Sequence, residues 1–124
     1  MVSKNAIRWR LKQIWDISSF GTPLPYRLPY GSRWLLGRDA IDYLLFSTGD
    51  WEPEVWRFVD RFLRQGMTML DVGAHHGFYT LLASKCVGSE GKVFAFEPAE
   101  PQRKKLLKHL RLNHCRNVQV EISA

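Results

Sequence analysis

Short apolar runs and helically spaced apolar positions follow one another in the second half of the chain. Residues 67–72 are almost all apolar, and their polar members are Thr68 and Asp71. A short apolar run bounded by turn residues is typical of a strand that is covered on both faces in a parallel sheet. Residues 93–96 form a second run of this kind. The pattern therefore predicts two buried strands of a parallel sheet.

A glycine-bearing turn and a helix are predicted between these two strands. Gly73 and Gly77 flank the turn, where glycine tolerates positive φ and lets a ligand lie against the main chain. The residues that follow repeat at helical spacing and predict one buried helix face: Phe78, Leu81, Leu82 and Cys86. Together these elements form a right-handed βαβ unit, whose ligand crevice lies at the carboxyl ends of the strands.

The last part of the chain predicts another helix and a one-sided strand. Leu106, Leu107 and Leu110 supply the buried stripe of the helix, and we expect His109 and His114 to face the solvent. The strand follows from alternation of apolar and polar residues, and its apolar members are Val118, Val120 and Ile122. Such alternation indicates a strand with one face exposed.

Residues 1–48 are predicted to form an N-terminal lead that precedes the βαβ region. Residues 5–17 predict an amphipathic helix in which basic residues surround Ile7, Trp9, Leu11, Ile14 and Trp15. Two interpretations of this helix stay open: it lies on a membrane surface, or it packs against a partner or another part of the protein. A small hairpin is predicted from 26–29 and 33–36, and Asp39 is placed to cap a short helix that ends at Phe46.

Residues 49–124 are predicted to form the second domain, and its first element is a helix that begins at Pro53. Its apolar residues repeat at helical spacing: Val55, Trp56, Val59, Phe62 and Leu63. Asp50 and Glu52 are placed to cap this helix, and Gly66 ends it before the first strand.

Two carboxylates stand at the ends of the two predicted parallel strands. Glu97 follows the second strand and can accept hydrogen bonds from both hydroxyls of a ribose. Asp71 can face the ammonium of a methionine moiety, a group that nicotinamide cofactors lack. A dinucleotide site favours G-x-G-x-x-G, whereas this turn reads D-x-G-x-x-x-G, with an acid that repels a pyrophosphate. The pattern therefore favours S-adenosylmethionine.

Several spaced motifs between residues 49 and 124 resemble one enzyme family. Residues 49–53 resemble the lead-in segment of the FkbM-type methyltransferases, which are class I S-adenosylmethionine-dependent enzymes. Residues 71–75 and 77–80 are similar to the cofactor loop of that family, and residues 96–98 to its ribose motif. Residues 112–113 and 117–118 resemble the approach to its third strand.

This resemblance implies an α/β, Rossmann-like class I methyltransferase fold with a mostly parallel sheet and flanking helices. It implies transfer of a methyl group from S-adenosylmethionine to a hydroxyl oxygen of a small molecule or sugar. The residues that it implies for the cofactor site are Asp71, Gly73, Ala74, His75, Gly77, Glu97, Pro98 and Glu52. The catalytic residues stay unknown. Adjacent histidines with no nearby acid or cysteine pattern make a poor metal site, so no metal is predicted.

The strand order 3-2-1-4-5 of such enzymes puts the third strand at a sheet edge and the first strand in the centre. The sequence contains no fourth strand to pair with the first. We therefore expect a domain that is truncated after its third strand, inactive as an isolated chain, and prone to self-association through the open edge near Met69 and Leu70.

Net charge adds a second candidate function, a nucleic-acid methyltransferase, because the chain carries a formal charge of +6. The basic residues of the later helix form no single block with those near the start, so a solvated outer face explains them better. A third candidate is a cofactor-binding or interaction module without activity. The sequence has no apolar run that could span a membrane, no secretion signal, and two cysteines without metal-ligand spacing, which together predict a cytoplasmic protein.

Overall fold

The computed structural model describes residues 3–123, which divide into two compact units with the division after Pro53. Unit 1 is the N-terminal part and unit 2 the C-terminal part. The predicted domain limits, 1–48 and 49–124, stay predictions, and their residues 1, 2 and 124 lie outside the described residues.

Unit 1 contains two helices and a hairpin. In chain order its elements are α1 (Lys4–Ser18), β1 (Leu24–Arg27), β2 (Arg33–Leu36) and α2 (Ala40–Thr48). β1 and β2 are antiparallel, with Leu24 opposite Leu36 and Arg27 opposite Arg33, which confirms the predicted hairpin. Asp39 occupies the N-cap position of α2 but makes no capping hydrogen bond with its side chain.

The core of unit 1 combines apolar side chains with the buried carboxylate of Asp42. Trp34, Leu36 and Leu45 are fully buried. Beside them, Asp42 accepts a hydrogen bond from the indole Nε1 of Trp34 at 2.9 Å and another from the amide of Gly37 at 2.8 Å. The carboxylate therefore joins the end of the hairpin to α2, and its burial is compensated by these two bonds.

Helix α1 buries one pair of oppositely charged residues. Its buried residues are Lys12 and Asp16, whose side chains form an ion pair at 2.6 Å. The ammonium of Lys12 also donates to the carbonyl of Gly37 at 2.6 Å, and the hydroxyl of Tyr43 donates to Asp16. Burial raises the pKa of Asp16, but the hydrogen bonds from Lys12 and Tyr43 outweigh it and leave that pKa below its usual value.

Unit 2 is a three-stranded parallel sheet with helices between its strands. Its elements are α3 (Pro53–Phe62), β3 (Thr68–Val72), α4 (Phe78–Val87), β4 (Lys92–Phe96), α5 (Glu100–Leu112) and β5 (Val118–Glu121). The strand order is β3-β4-β5, and both pairings are parallel. The βαβ unit and the edge position of the last strand are thus confirmed. The strand ends before Ile122, which is exposed.

Strand β3 is not covered on both faces, so this part of the sequence prediction was wrong. Leu70 and Val72 point to one face and are 63% and 70% exposed. Met69, on the other face, packs with Val59 against the core formed by Leu63, Ala83, Val87 and Val93. Within residues 3–123, β3 is hydrogen bonded to β4 alone, so its outer edge and one of its faces stay open, as expected from the absence of a fourth strand.

Two helices of unit 2 bury a different set of residues from the predicted one. In α5, Leu107 is 37% exposed, whereas Leu106, His109 and Leu110 are buried, so His109 was wrongly assigned to the solvent and His114 is exposed as expected. In α3, Val55 and Phe62 are exposed and no residue is fully buried. The apolar residues of α3 therefore extend over more of its surface than the rest of unit 2 covers.

Cys86 lies at the contact of α4 with α3. It is half-buried, and its thiol donates to the carboxylate of Asp60 at 3.4 Å. Burial raises the pKa of this thiol to about 11, and the hydrogen bond to Asp60 adds to the effect. Cys115, in the turn before β5, is also a free thiol. No helix among the described residues is long and apolar enough to cross a membrane.

Candidate cofactor site

The turn between β3 and α4 wraps over the end of β4. The amides of Gly73 and Ala74 both donate to the carbonyl of Phe96, at 2.9 and 3.0 Å. Gly73 and Gly77 adopt positive φ, as predicted, and so does His75, for which this conformation is uncommon. The turn is therefore held against the carboxyl end of the neighbouring strand, with three of its residues at positive φ.

Gly77 is required by its surroundings as well as by its backbone. It stands at the N-cap of α4 with φ of 94°, and a Cβ atom there would lie 2.5 Å from Cδ1 of Leu106. Leu106 belongs to the buried stripe of α5. The absence of a side chain at Gly77 thus lets α5 pack directly against the turn.

Glu97 organises this turn with its carboxylate. It is buried at the end of β4, where its Oε2 accepts from the amide of His75 at 2.8 Å and its Oε1 accepts from the amide of Ala99 at 2.9 Å. Its own amide donates to the carbonyl of Glu121 at 2.9 Å. Each carboxylate oxygen has two lone pairs, so one further acceptor site per oxygen remains for a ligand.

The main chain after Glu97 is held by a cation of α5. One guanidinium nitrogen of Arg103 donates to the carbonyl of Glu97 at 3.0 Å and to that of Pro98 at 2.8 Å. The segment from Glu97 to Ala99 is therefore fixed at both its carboxylate and its carbonyls.

Asp71 stands at the end of β3, next to the same turn. Its carboxylate accepts a hydrogen bond from the hydroxyl of Thr80 in the first turn of α4. Burial raises the pKa of Asp71 and the nearby negative charge of Glu97 raises it further, whereas the bond from Thr80 acts in the opposite direction. Two acids that repel one another at the ends of neighbouring strands favour a cationic ligand group between them.

A histidine cluster closes the side of the turn that faces α5. The rings of His75 and His76 are 3.9 Å apart between centroids, and Nδ1 of the buried His109 is 2.8 Å from the carbonyl of His76. Burial lowers the pKa of His76 to about 4, and the neighbouring His75 and His109 also lower it. At neutral pH His76 is therefore uncharged and serves as a packed side chain.

The structure brings together seven of the eight residues predicted for the cofactor. Six stand in or beside the turn and at the end of β4: Gly73, Ala74, His75, Gly77, Glu97 and Pro98. Asp71 is close enough to sense the charge of Glu97. The eighth, Glu52, belongs to unit 1, where it is exposed and adopts a positive φ.

Thr80 was included in the motif of residues 77–80 without a prediction of its bond to Asp71, and His109 was assigned to the solvent. Thr80 lies nine residues after Asp71, in the first turn of α4. A threonine hydroxyl at this position is a signal for a hydrogen bond back to the end of the strand. His109 lies three residues after Leu106 and one before Leu110, so the helical period itself included it in the buried stripe.

Comparison with known proteins gives solved structures only. No family model matches the sequence, and no curated protein matches it. A SAM-dependent methyltransferase from Aquifex aeolicus is 36% identical over 59% of this chain and 38% of its own, with a TM-score of 0.50. A SAM-dependent O-methyltransferase from Thermotoga maritima is 23% identical over 88% of this chain and 43% of its own, with a TM-score of 0.56.

A third match is a protein from Clostridium thermocellum described as an rRNA methylase. It is 20% identical over 58% of this chain and 39% of its own, with a TM-score of 0.56. The chain thus spans less than half the length of each of these structures. Together they show that it has the Rossmann-like fold of class I methyltransferases.

Proposed function

We propose that the chain belongs to an S-adenosylmethionine-dependent methyltransferase. The reaction would transfer the methyl group of the sulfonium to a hydroxyl oxygen of a small molecule or sugar, as the resemblance of residues 71–75, 77–80 and 96–98 to the FkbM-type family implies. Support comes from the fold and from the 36% identity with the Aquifex aeolicus enzyme. We also propose that the protein acts in the cytoplasm, where this cofactor would be available to it.

The observation that carries the proposal is the position of Glu97. A buried carboxylate at the end of β4, held by two amides and with lone pairs left, is suited to accept the two hydroxyls of a ribose. Asp71 stands at the end of the neighbouring β3, where it is suited to a methionine ammonium. Because Glu97 is buried, ribose binding requires the residues around it to move apart.

Orientation of the two reactants would supply most of the rate, since methyl transfer needs the acceptor oxygen in line with the sulfonium. Glu97 and Asp71 would hold the two ends of the donor, and the turn between them would lie against it. The described residues include no group that we assign to the acceptor. We therefore propose that the chain by itself binds the donor weakly and transfers no methyl group.

Calorimetric titration with S-adenosylmethionine tests the donor site directly. We expect weak binding by the chain and a loss of affinity of about tenfold or more in Glu97→Gln, since a charge-assisted bond contributes about 1.5–3 kcal/mol. Glu90→Gln is a matched control, because Glu90 is exposed in the turn before β4. Equal affinity of both variants would remove Glu97 from the site, and tighter binding of NAD would refute the proposed donor.

Nucleic acid is the second candidate acceptor. It is favoured by the charge of +6 and by the exposed cations of α5, which include Lys104, Lys108 and Arg111. Lys104 is paired with Glu100 at 2.5 Å, which reduces the charge of that surface. A radiolabelled methyl assay on a longer form of the protein, with hydroxylated small molecules and RNA as acceptors, distinguishes the two candidates.

We further propose that copies of the chain associate through the open edge of β3. Leu70 and Val72 beside unpaired backbone groups form the kind of edge that recruits another strand. Light scattering should give a mass above that of one chain, and Leu70→Lys should lower it. A monomer at all concentrations would contradict this.

A further inference from the structure

Helix α1 presents a stripe of aliphatic side chains to the solvent. Ile7, Leu11 and Ile14 follow one another at helical spacing and are all exposed, as is Ile17 at the end of the helix. The opposite side of the helix holds the buried pair of Lys12 and Asp16. The outward stripe is thus separate from the face that fixes α1 in unit 1.

The charge around this stripe is positive. Lys4 and Arg10 are exposed on α1, and the guanidinium of Arg38 lies near Gly21, just beyond its carboxyl end. Asp16, the one acid in the helix, is buried in its bond with Lys12. The solvent-facing side of α1 therefore carries cations without an exposed acid of its own.

Two aromatic residues, Trp15 and Phe20, stand near the carboxyl end of α1. Phe20 is 99% exposed, and its backbone adopts a φ of 52°, which costs of order 1 kcal/mol for a residue other than glycine. The indole Nε1 of the exposed Trp15 donates to the carbonyl of Thr22 at 3.0 Å and so fixes the turn that carries Phe20. Strained backbone that holds an aromatic ring in water indicates a function for that ring.

We propose that the outer face of α1 binds the surface of an anionic lipid bilayer. A single helix with aliphatic residues in its centre and cations at its sides lies in the membrane plane, with the apolar side chains among the acyl chains and the cations at the lipid phosphates. Phe20 and Trp15 stand where aromatic rings gather at the polar boundary of a bilayer. The positive sides favour an anionic membrane over an uncharged apolar protein partner, because the net negative headgroups of such a membrane would neutralise them.

Sedimentation with vesicles tests this proposal on the chain as it exists. We expect the chain to bind vesicles of phosphatidylcholine with phosphatidylserine and to release them at high salt, with little binding to phosphatidylcholine alone. Leu11→Glu/Ile14→Glu should weaken binding by about tenfold or more, because it places two charges at the acyl boundary. Lys4→Glu/Arg10→Glu should remove the preference for the anionic vesicles.

The matched control is Phe58→Glu/Phe62→Glu, which changes two exposed, stacked rings of α3 in the same way. It should bind the anionic vesicles as the unchanged chain does, and circular dichroism should show that each variant is folded. Equal binding by the α1 and α3 variants would overturn the proposal. Failure to bind any vesicle would also overturn it. So would a dimer that dissociates only in the α1 variant, since this face would then be a protein interface.

Discussion

Helices α1 and α5 have similar compositions and opposite orientations. Both carry several cations and several large aliphatic residues. In α5, Leu106 and Leu110 are buried and Lys104 and Lys108 face the solvent. In α1 the order is inverted, because an ion pair faces the fold and the aliphatic stripe faces outward.

The difference shows that an amphipathic pattern does not by itself tell which side of a helix meets the core. The cost of burying a charge is offset in α1 by specific partners, since Lys12 bonds both Asp16 and the carbonyl of Gly37. In α5 the buried stripe consists of Leu106, His109 and Leu110, and Nδ1 of His109 lies 2.8 Å from the carbonyl of His76. A helix can therefore expose its apolar face when polar groups elsewhere receive its charges.

Loss of one member of the buried pair should have the largest effect. Lys12→Met leaves the carboxylate of Asp16 buried without its cation, so we expect the free energy of unfolding to fall by about 3–5 kcal/mol. Urea unfolding measures this loss. The double variant Lys12→Met/Asp16→Leu should regain most of it, and a double variant as unstable as the single one would show that the pair holds α1 by more than charge.

The second largest loss of stability is expected when a buried leucine of α5 is shortened. Leu106→Ala removes a fully buried side chain and should cost about 3 kcal/mol, within the usual range for buried leucines. Leu107→Ala, on the exposed side of the same helix, should cost less than about 1 kcal/mol. Equal losses from the two changes in a thermal melt would contradict the observed orientation of α5.

The histidines around α5 should make stability depend on pH. The pKa of His76 is about 4 in the folded chain and 6.5 when unperturbed, so the unfolded chain binds an extra proton between these values. The free energy of unfolding should therefore fall as the pH is lowered through this range, by about 2 kcal/mol from pH 8 to pH 5. His76→Gln should flatten that dependence in urea titrations at the two pH values.

Asp16 of α1 should make stability depend on pH in a lower range than His76 does. Because its pKa is lowered below 3.8 in the fold, its contribution is complete above that value and is lost only as the pH falls further. The variant Lys12→Met/Asp16→Leu should not show this loss of stability at acid pH, because it has no carboxylate to protonate there. A loss of stability of the original chain between pH 7 and pH 5 that the variant does not share would contradict the assignment.

The smallest effect is expected on the outer face of α1. Leu11→Ala/Ile14→Ala should change the free energy of unfolding by about 0.5 kcal/mol or less, because both side chains are exposed. The same type of change thus separates a leucine that holds the fold from one that does not. A loss of several kcal/mol would mean that the stripe is covered in solution, for example by a second copy.

The order of elements in unit 2 could be predicted because each boundary carries a local signal. The turn glycines, the helical repeat after Gly77 and the carboxylates at two strand ends all depend on neighbours in sequence. The hairpin of unit 1 was predictable for the same reason. The methyltransferase fold was implied by the resemblance of these motifs to a known family, and the solved structures confirm the fold.

Burial was predicted less well because it depends on distant partners. Leu70 and Val72 read as core residues, yet the face they occupy is uncovered. The interior position of Lys12 depends on Tyr43 and Gly37, which lie far along the chain. The bonds from His75 and Ala99 to Glu97 likewise arise only when β3 and β4 are paired. The roles proposed for the site residues stay predictions.

The reactivity of the Cys86 thiol depends on the contact between α3 and α4. With a pKa of about 11, only about one thiol in a thousand is ionised at pH 8 while α3 and α4 stay together. Separation of these helices would release the thiol from Asp60 and return its reactivity to that of an ordinary cysteine. The rate of alkylation of Cys86, followed separately from that of Cys115, therefore reports how often the two helices separate.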